Sequence, residues 1–313
     1  MNGLVMTGLD GSNPLAFLAA VGTLRTLTLA TNGETVRMRW VIEAGAWRPE
    51  LRSRRPLTQD YLLDLFEKQL ARLKDHPALA RWDNLIVPPD EYRTYAIEAR
   101  QPASADERTW ADLAAAFACE VTTSTDGKKH PVVQDTAFRT MSGAGWQHFL
   151  GNMRNIVATT TRAHLAKALF DAWTYEDPLV NSTLRWDPAD DIRHALQWRD
   201  PSGDPARKTG GTVLGANRLG VEALPLFPSA PVGARLVTTG FTGAGARDTF
   251  WSWPIWSGPV TMDVCRTLLA LDEIVATVPD ARRLRARGIV AVYRSQRITE
   301  GKYRNFTPAR AVA

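Results

Sequence analysis

Four residues in one short stretch carry metal-ligating or acid–base side chains: Asp187, Asp190, Asp191 and His194. Carboxylates with one imidazole can hold a divalent cation, and with Mg²⁺ or Mn²⁺ such a site could cut nucleic acid. The plainer reading is a turn whose carboxylates cap nearby backbone N–H groups, and no metal site is assigned. Gly203-Asp204-Pro205-Ala206-Arg207-Lys208-Thr209 has the residue types of a phosphate loop. It lacks the glycine that must directly precede the lysine, and Pro205 removes a backbone donor. Lys208-Thr209-Gly210 matches one element of penicillin-binding enzymes, but no SxxK nucleophile accompanies it. Gly240, Gly243 and Gly245 do not make GxGxxG, and no GxSxG exists. The histidines at 76, 130, 148, 164 and 194 never fall at HxxxH spacing; His164 lies on the apolar face of its helix, as a satisfied core histidine would. No catalytic residue, metal or cofactor is therefore expected.

Charge carries more information than these motifs. Nine basic side chains fall in residues 281–313: Arg282, Arg283, Arg285, Arg287, Arg294, Arg297, Lys302, Arg304 and Arg310. One acid, Glu300, accompanies them, so the window is +8 in a chain of net +5 and the other residues sum to −3. Eight of the nine are arginine, whose planar fork suits bidentate phosphate contact. Tyr293, Tyr303 and Phe306 are interleaved, and rings of this kind can stack on unpaired bases. A merely solvated face mixes both signs of charge, so a polyanionic partner is expected. Arg52, Arg54 and Arg55 add a smaller basic stretch. Phe250-Trp251-Ser252-Trp253-Pro254-Ile255-Trp256 holds three tryptophans in six residues. Trp251, Trp253 and Trp256 are either a buried strand or the anchors of a protein interface, with base stacking as a third use.

The elements that must position these residues follow from capping and periodicity. Asn13-Pro14 starts a helix through Val21, and Gly22 within it implies close approach of another backbone. Asn32-Gly33 is read as its end. Val36 to Ile42 alternates as a strand, and 48–55 reads as irregular. Thr58 caps an amphipathic helix bearing Leu62, Phe66, Leu70 and Leu73. Further helices are expected at 104–118, over Trp146 to Phe170, and from Thr261 to Val278. Thr122 to His130 and Gly203 to Gly220 read as loops, and 184–186 and 195–198 as short strands. Leu236 to Thr239 is also a strand. Asp280 caps a brief arginine-rich helix stopped at Gly288, followed by a strand at Ile289 to Tyr293 and another after Lys302.

Strands and helices alternate without a βαβ rhythm, which places the chain in the α+β class, with short antiparallel sheets. One compact unit over 1–313 is expected, with candidate lobes 1–125 and 135–313. Cys119 and Cys265 form no disulfide framework, and no apolar run approaches the roughly 20 residues a membrane helix needs. A cytoplasmic protein without a membrane partner is the expectation.

Several phrases resemble one family. Gly8-Leu9-Asp10-Gly11-Ser12-Asn13-Pro14-Leu15-Ala16-Phe17-Leu18-Ala19-Ala20-Val21-Gly22 is similar to the opening of accessory and large-subunit-like proteins of type I-G (formerly I-U) CRISPR systems. Trp173-Thr174-Tyr175-Glu176, Trp253-Pro254-Ile255-Trp256 and Tyr293-Arg294-Ser295 look like that group too. The resemblance implies antiviral defence by RNA-guided DNA interference, where proteins bind backbones while the guide reads sequence. Guide RNA or target DNA, other effector subunits and the helicase–nuclease would be the partners. The alternatives are a protein–protein adaptor centred on the three tryptophans, and a metal-dependent nuclease using Asp187, Asp190 and Asp191.

Overall fold

Asn13 Oδ1 accepts the backbone N–H of Ala16 at 3.0 Å, and Pro14 occupies the first helical position. In the computed structural model, which describes residues 3–31, 35–101, 108–125, 127–141, 148–190, 211–300 and 303–313, this cap starts the central helix. After a short strand β1 (Leu4–Val5), α1 (Pro14–Ala30) is buried from Pro14 to Leu27, hence its apolar run without a polar face. Its C-cap is Thr31; Asn32 and Gly33 lie outside the described residues. β2 (Arg37–Glu43) alternates as expected, with Met38 and Trp40 inward. Arg48 and Arg52, read as irregular, belong instead to β3 (Ala46–Arg52), which pairs antiparallel with both β1 and β2.

Thr58 Oγ1 accepts from the Tyr61 N–H and starts α2 (Gln59–Leu70), whose Leu62, Phe66 and Leu70 face the core. His76 Nδ1 accepts the Ala78 N–H at 3.1 Å and opens α3 (Pro77–Ala80). Next come α4 (Pro89–Glu98) and α5 (Arg108–Phe117), which share a satellite cluster of Val87, Tyr92, Tyr95, Ala99, Ala114 and Ala118. The segment expected to be a loop at 122–130 is a hairpin of β4 (Ala118–Thr125) and β5 (Lys128–Asp135). Its polar sequence reflects solvent on both faces of the tip, and Gly127 at φ 73° supplies the turn.

The single helix expected over 146–170 is two, α6 (Phe149–Thr159) and α7 (Arg162–Phe170); Trp146 lies outside the described residues. Thr161 breaks the run because its hydroxyl caps α7. His164 is not a core histidine: it closes that capping box, and its Nε2 lies 3.5 Å from Asp177. β6 (Asp177–Pro178) pairs with β7 (Gly211–Thr212). Leu184–Trp186 forms no strand. Its backbone is instead held by side chains, the Leu184 N–H by Asn217 Oδ1 at 2.9 Å. Residues 195–198 lie outside the described set.

The largest departure is α8 (Leu214–Ala223), wholly buried where a loop was expected. Gly215 and Gly220 are packing residues there. A Cβ on Gly215 would sit 2.2 Å from the His164 carbonyl oxygen, and one on Gly220 2.8 Å from the Trp186 ring. α8 crosses α1, where a Cβ on Gly22 would meet the Leu219 carbonyl oxygen at 1.9 Å. The backbone approach expected from Gly22 is thus present. The crossing also buries an ion triad, Arg25–Glu222 at 2.8 Å and Arg218–Glu222 at 2.9 Å.

β8 (Ser229–Val232) and β9 (Arg235–Thr238) form a hairpin. β10 (Phe241–Thr242), β11 (Thr249–Trp256), β12 (Ile289–Glu300) and β13 (Tyr303–Phe306) lie side by side in that order, all antiparallel. Between β11 and β12 run α9 (Met262–Leu269), capped by Thr261, then α10 (Asp272–Val275) and α11 (Ala281–Ala286). The helix expected across 261–278 therefore breaks at Ala270–Leu271. β14 (Arg310–Ala311) returns to pair with β12. One apolar cluster draws side chains from Met6 to Phe306, and the class is α+β as the pattern indicated. Among the described residues, no helix is long and apolar enough to cross a membrane.

Candidate nucleic-acid interface

Asp280 Oδ1 accepts the N–H groups of Arg282 and Arg283 at 2.9 and 3.1 Å, and Gly288 at φ 78° ends the turn after α11. Leu284 is the buried foot of this short helix, so Arg282, Arg283, Arg285 and Arg287 all stand in solvent. Arg283 has Asp280 at 3.6 Å and Arg287 has Glu273 at 2.6 Å, both exposed pairs. Such pairs are worth about 0–1 kcal/mol and can be exchanged for phosphate. Arg282 and Arg285 have no carboxylate within salt-bridge distance among the described residues. Arg285 lines a shallow recess with Ala313, so the end of the chain lies beside α11.

β14 brings Arg310 opposite Arg294 in the ladder. Directly opposed like charges cost stability in a sheet unless an anion or a polar partner relieves them. Arg294 is relieved internally: its guanidinium donates to the carbonyls of Ala276 at 2.6 Å and of Ile274 and Thr277 at 3.3 Å, and to Ser252 Oγ at 2.8 Å. Burial first, then the charge of Arg310, holds this group below its ordinary value. Arg310 stays exposed with no ion pair among the described residues.

The other expected contacts divide. Arg294 and Arg297 both turn inward to backbone carbonyls, and neither stands on the exposed arginine surface of α11 and β14. Arg297 is 9% exposed and donates to the Ala137 carbonyl at 2.9 Å. Arg304 is half-buried, 3.6 Å from Asp135. Lys302 lies outside the described residues, as do the side chains of Tyr303 and Glu300. Arg52 is drawn onto Glu50 at 2.9 Å, and Arg39 bonds the same carboxylate. Arg54 and Arg55 are exposed after β3. The strand register also sets Arg37 opposite Arg52 and Val41 opposite Arg48. The outer face of β2–β3 is thus a second arginine-rich surface, with Glu50 and, at its end, Glu43 as its acids. Alternation in Val36–Ile42 put Arg37 and Arg39 on one face, but only pairing with β3 joins them to Arg48 and Arg52.

Trp251, Trp253 and Trp256 are not interface residues. They are 0%, 0% and 1% exposed in β11. Trp251 and Trp253 lie 4.5 Å apart by ring centroid, and Phe17 packs among all three. An eight-residue strand covered on both faces needs no polar alternation, which is why the block is continuously apolar.

The two described members of the acidic cluster, Asp187 and Asp190, are hydrogen-bonded within the fold. Asp187 accepts from Asn13 Nδ2 at 3.1 Å, Tyr175 Oη at 2.9 Å and the Ala189 N–H at 2.8 Å. Asp190 accepts from Thr183 and Thr212. Asp191 and His194 lie outside the described residues. Among the described residues, no three His, Cys, Asp or Glu side chains are grouped to hold a metal ion.

An α+β fold with two arginine-rich surfaces is what the geometry defines. Comparison with protein-family models and with curated proteins found no match to the chain.

Proposed function

We propose that this chain is a nucleic-acid-binding subunit of a type I CRISPR effector complex, holding the backbone of guide RNA or target DNA by charge. The supporting observation is the group Arg282, Arg285 and Arg310: exposed guanidinium groups near the C-terminal end with no carboxylate partner among the described residues. Their number and sign suit phosphates spaced along a strand, and released counterions would supply the affinity. Base identity is left to guide pairing, in keeping with a surface made of arginines instead of a groove-reading element. The motif resemblance supports the assignment to a CRISPR effector and its helicase–nuclease. The tryptophan surface on which an adaptor reading rested is internal, so that reading is left without a named surface.

Affinity purification of the tagged chain from its native host, with sequencing of co-purified RNA, tests the reading. Enrichment of repeat–spacer transcripts is expected. Recovery of the assembled partners with no nucleic acid, before any nuclease treatment, would contradict it.

A further inference from the structure

The far end of β12 holds a cavity of about 620 Å³ bounded by β5, β9, the 243–248 loop and β13. Its volume is in the range of small-molecule sites. Arg297 stands in its wall, nine-tenths buried, and no acid lies within salt-bridge distance of it among the described residues. One nitrogen bonds the Ala137 carbonyl, while its Nε is buried with no hydrogen-bond partner among the described residues. The nearby carboxylate, Asp135, is already engaged by Arg139 and, at 3.6 Å, by Arg304. Arg235 reaches the rim, exposed and without an ion pair among the described residues. The second acid of the lining, Asp248, accepts the Gly245 N–H. Three guanidinium groups, Arg235, Arg297 and Arg304, therefore line the cavity with two carboxylates, Asp135 and Asp248, a lining of net positive charge. A buried guanidinium whose nearest carboxylate, Asp135, lies beyond salt-bridge distance and is shared with Arg139 and Arg304 is under-compensated, and an incoming anion lowers that cost. Burial, then Arg304, lowers the Arg297 pKa to about 10, which leaves it cationic at neutral pH.

We infer that this cavity is a phosphate site for a nucleotide, with Arg297 as its floor and Arg304 and Arg235 as its clamp. Arginine forks match phosphate oxygens in pairs, and the burial of Arg297 strengthens its contact. Residues 289 and 297 are eight positions apart on one strand, about 26 Å at 3.3 Å per residue, so the cavity lies well away from α11. The site rests on the proposed nucleic-acid role only in the choice of ligand. The phosphate could belong to a strand or to a free nucleotide.

The test is calorimetric titration of the full chain with inorganic phosphate, a ribonucleoside 5′-monophosphate and a dinucleoside monophosphate. The comparison is a double variant, Arg235→Gln with Arg304→Gln, chosen because neither side chain is fully buried. Binding of at least one nucleotide probe is expected, weakened tenfold or more in the variant while its Tm holds. Preference for the monophosphate would mark a terminal phosphate or free nucleotide as the source; preference for the dinucleoside probe would mark a strand interior. Equal affinity in the variant, or no binding of any probe to the unaltered chain, overturns the inference. Charge removal at Arg282 and Arg285 should leave this binding unchanged, so failure here and failure at α11 read out separately.

Discussion

The indole N–H of Trp253 donates to the carbonyl oxygen of Gly11 at 2.8 Å, joining residues 242 positions apart. It fastens β11 to the loop that feeds the cap of α1, and the Phe17 ring stacks 5.7 Å from Trp40 in the same cluster. The glycine-rich opening and the tryptophan-rich block, the two most conspicuous phrases of the sequence, are two sides of one joint. A Cβ on Gly11 would meet Trp40 and Ile255 at 2.8 and 2.9 Å, so glycine is required there for closeness of packing.

Trp253→Phe should therefore cost stability without touching a binding surface. The loss of a buried hydrogen bond leaves the Gly11 carbonyl unmatched, about 1–3 kcal/mol. Denaturant unfolding should show a lower midpoint, with nucleic-acid affinity of the folded protein unchanged.

Gly22→Ala should destabilise, although alanine favours helices by about 1 kcal/mol. The added methyl group would lie 1.9 Å from the Leu219 carbonyl oxygen and must push α8 off α1. Overpacking of this kind costs about 1–3 kcal/mol beyond the propensity gain. A rise in Tm would mean the two helices do not cross there.

Glu222→Gln should be among the most damaging single changes. The carboxylate pairs with both Arg25 and Arg218, which are 3% and 1% exposed. Breaking a buried ion network by removing one member costs about 3–5 kcal/mol. Urea denaturation of the variant measures it.

His76 sets a pH dependence. Burial outweighs the nearby charge of Glu222 and lowers its pKa below the ordinary 6.5, and the neutral ring accepts the Ala78 N–H. The unfolded chain then binds the proton more readily, so stability is present above about pH 6.5 and is lost as the pH falls through the lowered folded value. His76→Asn keeps a cap acceptor and removes the titration. The fall in Tm between pH 7 and 5.5 should be smaller in the variant than in the unaltered chain.

What the sequence revealed divides along physical lines. Caps were legible because a side-chain oxygen acts on the next turn: Asn13, Thr58, Thr261 and Asp280 all start helices. The fate of Trp251, Trp253 and Trp256 was not legible, since an apolar run reads alike in a buried strand and in an interface. Residues 214–220 were misread because Gly215 and Gly220 signal a breaker in isolation, whereas here they admit neighbouring chain. The hairpin at 118–135 was hidden by its polarity, although Asp126-Gly127 is a turn signal. For the candidate interface, composition found the arginines. It could not say that Arg294 and Arg297 turn inward to backbone carbonyls while Arg282, Arg285 and Arg310 stay in water.

The most direct measurement is the salt dependence of single-stranded RNA binding by the unaltered chain and by Arg282→Gln/Arg285→Gln/Arg310→Gln. Each lost phosphate contact should lower the slope of log K against log salt by about 0.7. The expected result is weaker binding, a slope smaller by up to about 2, and a Tm little changed, because the three side chains are exposed. Equal slopes and equal affinities for the two proteins would contradict the claim that these arginines face phosphates.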